Sequence, residues 1–326
     1  MLNQKDQETI NEIKRVFFPN AYEATKKIKE NGGRFAYYTN AETAVNILKK
    51  NEIWMRNVTM MNDYMEVEHG LDCLLDAYRD EPLQGRFKKV VDQQFPGLTK
   101  EVEDLFNGWL PQFKENTYIT CISEHNPSED THGRLSMWRA YGGRSGVALI
   151  LNGHVITDGA SDVLSAYTSP VGYMTAHEIK QQFETVINNI ENSPAFLISL
   201  GRERVRNAIF TMLHFAVLST KHTGFLEEKE WRVIAVPKMY GNGLLNSSIE
   251  VINGIPQRVQ KIQLQDQPED GLVGLALPGL LNRIIIGPTE FPKTIKEAFI
   301  SLLSDIGIEN PSEKVIVSGI PLRNIA

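Results

Sequence analysis

Residues 35–58, FAYYTNAETAVNILKKNEIWMRNV, decide the fold. FAYYT (35–39) is aromatic and ends on a β-branched residue, so it is expected to be a strand. Asn40 then supplies a helix cap for Ala41–Lys50, and EIWMRNV (52–58) returns as a second strand. The three pieces make one compact strand–helix–strand unit.

Upstream, residues 4–31 are expected to be helical, with Ile10, Ile13, Val16 and Phe17 at a 3.6-residue period and a break at Pro19. Residues 21–30 form a second helix that stops at Asn31-Gly32-Gly33. Downstream, helices are expected over 65–80, 98–115, 176–192, 198–220 and 294–307. Strands are expected over 117–123, 146–152, 163–173, the second half of 221–237, 249–253, 258–264, 283–288 and 315–320. The strands recur without regular βαβ spacing, which predicts an α+β fold with a mostly antiparallel or mixed sheet. Residues 1–33 are taken as an N-terminal helical segment and 34–326 as one α+β domain.

Of the 326 residues, 42% are hydrophobic and 23% charged, which excludes a disordered or collagen-like chain. No apolar stretch approaches the ~20 residues that cross a bilayer. The N-terminal residues lack an apolar core of the signal-peptide kind. The expectation is a soluble, cytoplasmic protein with no membrane partner. A net charge of −6 argues against a protein that coats nucleic acid. The two cysteines, Cys73 and Cys121, lie in apolar patterns and are expected to be thiols, and with no CxxC pair no metal site is expected.

Four features carry candidate chemistry. In Glu227-Glu228-Lys229-Glu230-Trp231-Arg232-Val233, strand alternation would put Glu228, Glu230 and Arg232 on one face and Trp231 and Val233 on the other. The competing reading is a solvated strand edge with a surface ion pair. Asn62-Asp63-x-x-Glu66 is either a capping box for the next helix or a polar loop at a cleft. Tyr37 and Tyr38 point to opposite sides of one strand, so one packs and the other is available to a ligand. Trp138 and Tyr141, three residues apart, are either core anchors or a stacking platform. The histidines are scattered, and His214 in an apolar helix is expected to be a core residue. His125 and His132 share the polar loop 124–136 with Glu129 and Asp130, without metal-ligand spacing.

Together these motifs resemble a known family. YYT (37–39), Asn62-Asp63-x-x-Glu66, TYITCIS (117–123), Trp138-x-x-Tyr141 before Gly146, and Lys221-x3-Phe225-x2-Glu228-x-Glu230-x-Arg232 resemble the bacterial domain-of-unknown-function 2971 family. The resemblance extends through RIIIGP and VIVSGIPL, over about residues 35–322. That family name implies no activity. A more distant resemblance is to the ADP-ribosyltransferase fold, through the early strand ending in Tyr-Thr and the late strand with Glu-x-Glu. It implies a split sheet that cradles NAD, with Glu230 as the catalytic glutamate and Glu228 orienting the acceptor. Tyr37 or Tyr38 stands where such enzymes place His or Arg, and Arg34 or Arg56 would then supply the missing positive charge. Thr39, Asn62, Asp63, Trp138, Tyr141, Lys221 and Arg232 complete the implied NAD site.

The leading expectation is thus an NAD-dependent ADP-ribosyltransferase acting on a macromolecule, protein or nucleic acid, as a toxin or antiviral defence effector with a regulatory or antitoxin partner. Two alternatives stand beside it. One is a non-catalytic sensor or binding module. The other is a metal-dependent nuclease using Glu227 and Lys229 on a strand, with Asp63 upstream.

Overall fold

The computed structural model describes residues 4–61, 66–158 and 161–321. They form two compact units. Unit 1 takes residues 1–26, 58–117 and 169–226, and unit 2 takes 27–57, 118–168 and 227–326.

Unit 1 is helical. Its longer helices are Gln4–Phe17, Glu66–Tyr78, Glu81–Asp92, Leu98–Trp109, Ala176–Glu191 and Arg202–Leu218. A two-residue parallel pairing, Gly172–Tyr173 with Thr220–Lys221, is its only sheet among the described residues. Two helices expected to be continuous are broken. Pro111 ends the 98–109 helix before a short turn at 112–115, and Gly201, at φ 80°, separates 194–200 from 202–218. Proline cannot donate a helical hydrogen bond, and glycine reaches this φ without strain. Helix Glu81–Asp92, with its Asp80 cap and Pro82 in the first turn, was not foreseen. Gly70 lets two helices touch: a Cβ there would lie 2.1 Å from the Val217 carbonyl oxygen.

His214 is a core residue, as expected. It is fully buried, and its ring centroid lies 4.2 Å from that of Phe113. Burial penalises the imidazolium and pushes the His214 pKa down to about 4. In the unfolded chain it would titrate near 6.5, so the unfolded state binds the proton first. Stability is therefore full above pH ~6.5 and falls as pH drops toward 4, by about 3 kcal/mol in all from this group. Urea midpoints at pH 7 and pH 5 should show this loss, and His214→Leu should flatten it; an unchanged slope in the variant would assign the pH dependence to other groups.

Unit 2 carries a ten-stranded sheet among the described residues. Strand β1 is Arg34–Asn40, β2 Glu52–Asn57, β3 Tyr118–His125, β4 Gly146–Asn152, β5 Ala166–Pro170, β6 Glu230–Ala235, β7 Asn246–Ile252, β8 Ile255–Gln263, β9 Leu281–Ile286 and β10 Val315–Val317. The order is β10-β9-β4-β1-β3-β2-β8-β7, with β6 also on β3 and β5 on β6. The pairing of β9 with β10 is parallel, whereas β1, β2, β3, β4 and β8 pair antiparallel with their neighbours along this order. The fold is thus α+β with a mostly antiparallel, mixed, open sheet flanked by helices.

The opening strand–helix–strand unit is present as read. Asn40 Oδ1 accepts from Thr43 N at 2.8 Å, and Asn51, at φ 58°, ends the helix Ala41–Lys50. That helix and Pro292–Asp305 cover one sheet face, where Leu149, Leu151, Ile284 and Ile286 meet Ile47, Leu48 and Phe299. Helix Leu135–Tyr141 covers the other, with Trp138 on Ala36, Ala148, Ile150 and Ile285.

The sheet forks at β3. Ser123 lies opposite both Ala36 of β1 and Glu230 of β6, and Ile119 lies opposite both Arg56 of β2 and Ile234 of β6. Since β6 runs unbroken along one edge of β3, β1 and β2 must share the other. The β1 ladder with β3 stops at Ala36, and the β2 ladder begins at Arg56. From Tyr37 onward β1 follows β4 instead.

No helix among the described residues is long and apolar enough to cross a membrane. No disulfide joins the cysteines; both are thiols.

Candidate functional site

Directly opposed residues of paired strands share a face, and successive residues alternate. The registers therefore place Arg34, Ala36 and Tyr38 of β1, Cys121, Ser123 and His125 of β3, and Glu230 and Arg232 of β6 on one face. Strands lie ~4.8 Å apart, so Glu230 and Ala36 are roughly 10 Å apart across Ser123. In the next row Arg232 faces Cys121, and beyond it Tyr38 stands where the fork has opened.

Glu230 and Arg232 are not a solvated edge. They are 6% and 2% exposed, and Arg232 Nε donates to Glu230 Oε1 at 2.8 Å. Trp231 points the other way, as alternation requires. It is 2% exposed, packs edge-on to Phe35 at 5.3 Å, and donates from Nε1 to Glu124 Oε1 at 2.9 Å.

Glu228 corrects the expected pattern. It ends a 3-10 turn, Thr223–Glu228, and Lys229 at φ 44° separates it from β6. A left-handed residue breaks strand alternation, so Glu228 does not share a strand face with Glu230 by period. Its carboxylate is instead held by Tyr141, whose hydroxyl donates to Glu228 Oε1 at 2.9 Å. The same turn removes the strand that the nuclease alternative needs. Glu227 lies in the 3-10 turn, Lys229 in the left-handed link, and both are exposed. Among the described residues, no group of three or more His, Cys, Asp or Glu is placed to hold a metal ion.

The two tyrosines divide as their alternation demands. Tyr37 packs against the larger core, and its hydroxyl is hydrogen-bonded with Thr120; burial pushes its pKa up. Tyr38 lies on the Glu230 face, edge-on to Trp138 at 4.9 Å, and burial pushes its pKa up to about 12. It is a neutral phenol at physiological pH, and its oxygen accepts from Arg134 N at 2.9 Å. Thr39 faces away from Tyr38, opposite Val147. Trp138 is a core anchor, only 2% exposed, with Nε1 donating to His132 O at 2.8 Å.

Arg34 is half-buried and pairs with Asp130 Oδ1 at 2.9 Å. Arg56 donates to Gln257 Oε1 at 3.1 Å. Lys221 belongs to unit 1, where its ammonium lies 4.6 Å from the Phe225 ring centroid. Asn62 and Asp63 lie outside the described residues.

Arg134 was missed by sequence reasoning, and it organises the site. Its guanidinium forks onto Glu129, with Nε to Oε1 at 3.0 Å and Nη2 to Oε2 at 3.2 Å. It also donates to the carbonyl oxygens of Glu124 at 2.7 Å, Glu227 at 2.9 Å and Glu228 at 3.0 Å. One side chain thus fastens the turn bearing Glu228 to the end of β3. Beside it, Asp130 gathers Arg34, Arg283 and His125. Burial alone would raise the Asp130 pKa, but hydrogen bonds from His125 and Arg34 and the Arg283 charge hold it below the usual carboxylate range. The available signal was the Asn126-Pro127-Ser128-Glu129 spacing, a capping pattern in which Glu129 Oε2 accepts from Asn126 N at 3.1 Å.

Lysine keeps the charge at position 134 but cannot present five donors in a planar fork. Arg134→Lys should therefore cost about 1.5–3 kcal/mol in urea unfolding and speed amide exchange around 227–230. Unchanged exchange there would show that the turn is held by other contacts.

With this geometry in place, comparison adds one finding. Residues 137–233 match a family of proteins of unknown function, DUF2971. The DUF2971 match is narrower than the span of motifs read from the sequence. It contains Trp138, Tyr141, Lys221, Glu228, Glu230 and Arg232, and leaves out β1 and Arg134. No curated protein and no solved structure matches the chain.

Proposed function

We propose that the Glu230 face belongs to an NAD-dependent ADP-ribosyltransferase that modifies a macromolecular acceptor. The observation that carries this reading is a buried carboxylate, Glu230, oriented by Arg232 on the sheet face that also carries Tyr38. Departure of nicotinamide breaks its bond to the ribose C1′, and the electron pair leaves with it. Positive charge then develops on the ribose, and a fixed carboxylate in a partly dry site stabilises it without reorganising. Glu230 supplies that carboxylate. Glu228, held by the Tyr141 hydroxyl, takes the acceptor's proton as its nucleophile bonds to C1′. Tyr38 and Tyr141 line the nicotinamide side, backed by Trp138.

Arg232, Lys221 or Arg34 would hold the NAD pyrophosphate, and of these Arg34 and Arg232 are each paired with a carboxylate. Phosphate binding by either arginine would draw on that pair. The proposed setting is cytoplasmic, as a toxin or antiviral effector restrained by a partner.

A second reading has its own observation. Arg232 Nε pairs with Glu230 Oε1 at 2.8 Å in the interior, as an ion pair with a structural role would in a non-catalytic binding module. Nicotinamide release from labelled NAD, measured with lysate protein and RNA as acceptors, separates the two. The transferase reading expects NAD binding by the wild-type chain and a rate that falls about 10²–10³-fold in Glu230→Gln. Absence of NAD binding, with growth arrest unaffected by Glu230→Gln, would establish the binding module instead.

A further inference from the structure

One edge of the unit 2 sheet is open. Strand β7, Asn246–Ile252, ends the strand order and pairs, among the described residues, with β8 alone. Asn253 at φ 51° and Gly254 at φ 79° make the two-residue turn that joins them, a conformation that matches the twist of the strands. All of β7 holds an unshifted register with β8, so no bulge bends the edge away. Ile249 and Val251 are 58% and 66% exposed.

Edge strands are commonly blunted by lysine, proline, a bulge or a cover. β7 has no lysine, proline or bulge, and its alternate side chains stand in solvent. From residue 241 to residue 257 the one charge is Glu250, and it is tied to its own sheet. Lys261 Nζ lies 2.6 Å from Glu250 Oε1, and Ser248 Oγ donates to the same oxygen at 2.9 Å. An antiparallel strand turns the N–H and C=O of every second residue outward, so β7 offers a row of backbone groups to an added strand.

The sequence of β7 decides which strand fits. Two copies that meet edge to edge about a two-fold axis perpendicular to the sheet pair antiparallel and keep each residue on its own face, so the axis passes through a residue. Centred on Ile249, the whole strand pairs: Asn246 with Ile252, Ser247 with Val251, Ser248 with Glu250, and Ile249 with its own counterpart. Centred on Glu250, two carboxylates stand opposed, which is destabilising, and Asn246 and Ser247 fall opposite the turn. Centred on Ser248, Val251 and Ile252 are left beyond the ladder.

We infer that β7 is a dimerisation edge: a second copy of this chain adds its own β7 antiparallel, with Ile249 on the two-fold axis, and the two sheets become one. The inference is independent of the chemistry at Glu230.

Sedimentation velocity of the full chain should show a monomer–dimer equilibrium at concentrations up to ~100 μM. Ile249→Lys sets two ammonium groups against each other and should raise the dimer dissociation constant about tenfold or more, with an unchanged circular dichroism spectrum because Ile249 is exposed. Residues opposed on the axis lie ~4.5–5.5 Å apart at Cα, within disulfide reach, whereas the two copies of Val251 would lie at least ~13 Å apart along the ladder. Ile249→Cys should therefore give disulfide-linked dimers on mild oxidation, while Val251→Cys and the wild-type chain, with its Cys73 and Cys121 thiols, should not. A wild-type chain that stays monomeric at ~100 μM would leave the edge to a strand of another protein and overturn the proposal. It is equally overturned if the dimer persists undiminished in Ile249→Lys, or if Ile249→Cys cross-links no better than Val251→Cys.

Discussion

Glu230→Gln should destabilise the protein by about 1–3 kcal/mol as well as stopping nicotinamide release, because it takes from the buried Arg232 guanidinium the carboxylate to which its Nε donates. Loss of activity in that variant alone would therefore be ambiguous. The double variant Glu230→Met/Arg232→Leu removes both charges and keeps side-chain volume. Buried ion pairs replaced by packed apolar groups are often neutral or more stable. The double variant should accordingly recover most of the lost stability in urea unfolding, and should remain unable to release nicotinamide. A stable, inactive double variant would show that the pair serves chemistry. If the double variant is as unstable as the single one, the pair has a packing role that charge removal cannot mimic.

Trp138→Ala should cost about 3–5 kcal/mol, the range for truncating a fully buried large aromatic. The surroundings leave little room to collapse. Trp138 sits among glycines: a Cβ at Gly133 or at Gly287 would lie 2.7 Å from its ring. Gly287→Ala should disturb the same packing from the opposite side, by about 1–3 kcal/mol. Trp138 also fixes the helix that carries Tyr141 to Glu228 and stands edge-on to Tyr38. Truncation should therefore lower nicotinamide release even at temperatures where circular dichroism reports a fully folded chain. A variant with wild-type stability would show that the helix is held without this ring.

Much of this was legible in the sequence because it depends on short-range rules. The Asn40 cap, the strand–helix–strand unit and the buried Trp231 follow from local spacing. So does the division of Tyr37 from Tyr38, although which of them faces Glu230 needed the registers with β3. Glu228 was misplaced because nothing in Glu-Lys-Glu signals that Lys229 adopts a positive φ. Arg134 was missed because, beyond its nearby partners Glu129 and Glu124, it reaches the carbonyls of Glu227 and Glu228, 93 and 94 residues away, a pairing no local pattern encodes. The sheet fork was equally out of reach of composition and period. It follows only from two strands, far apart in sequence, meeting the same edge of a third.

That fork also sets a timetable for synthesis. Strand β2 pairs through Arg56 with Val259 of β8 and with Ile119 of β3, so much of its hydrogen bonding awaits chain made roughly 200 residues later. At ~5–20 residues per second, β2 leaves the ribosome ~10–40 s before that partner exists. Through that interval its backbone groups depend on water, or on a chaperone, and the nascent chain is most exposed to strand-on-strand aggregation between its first and last thirds.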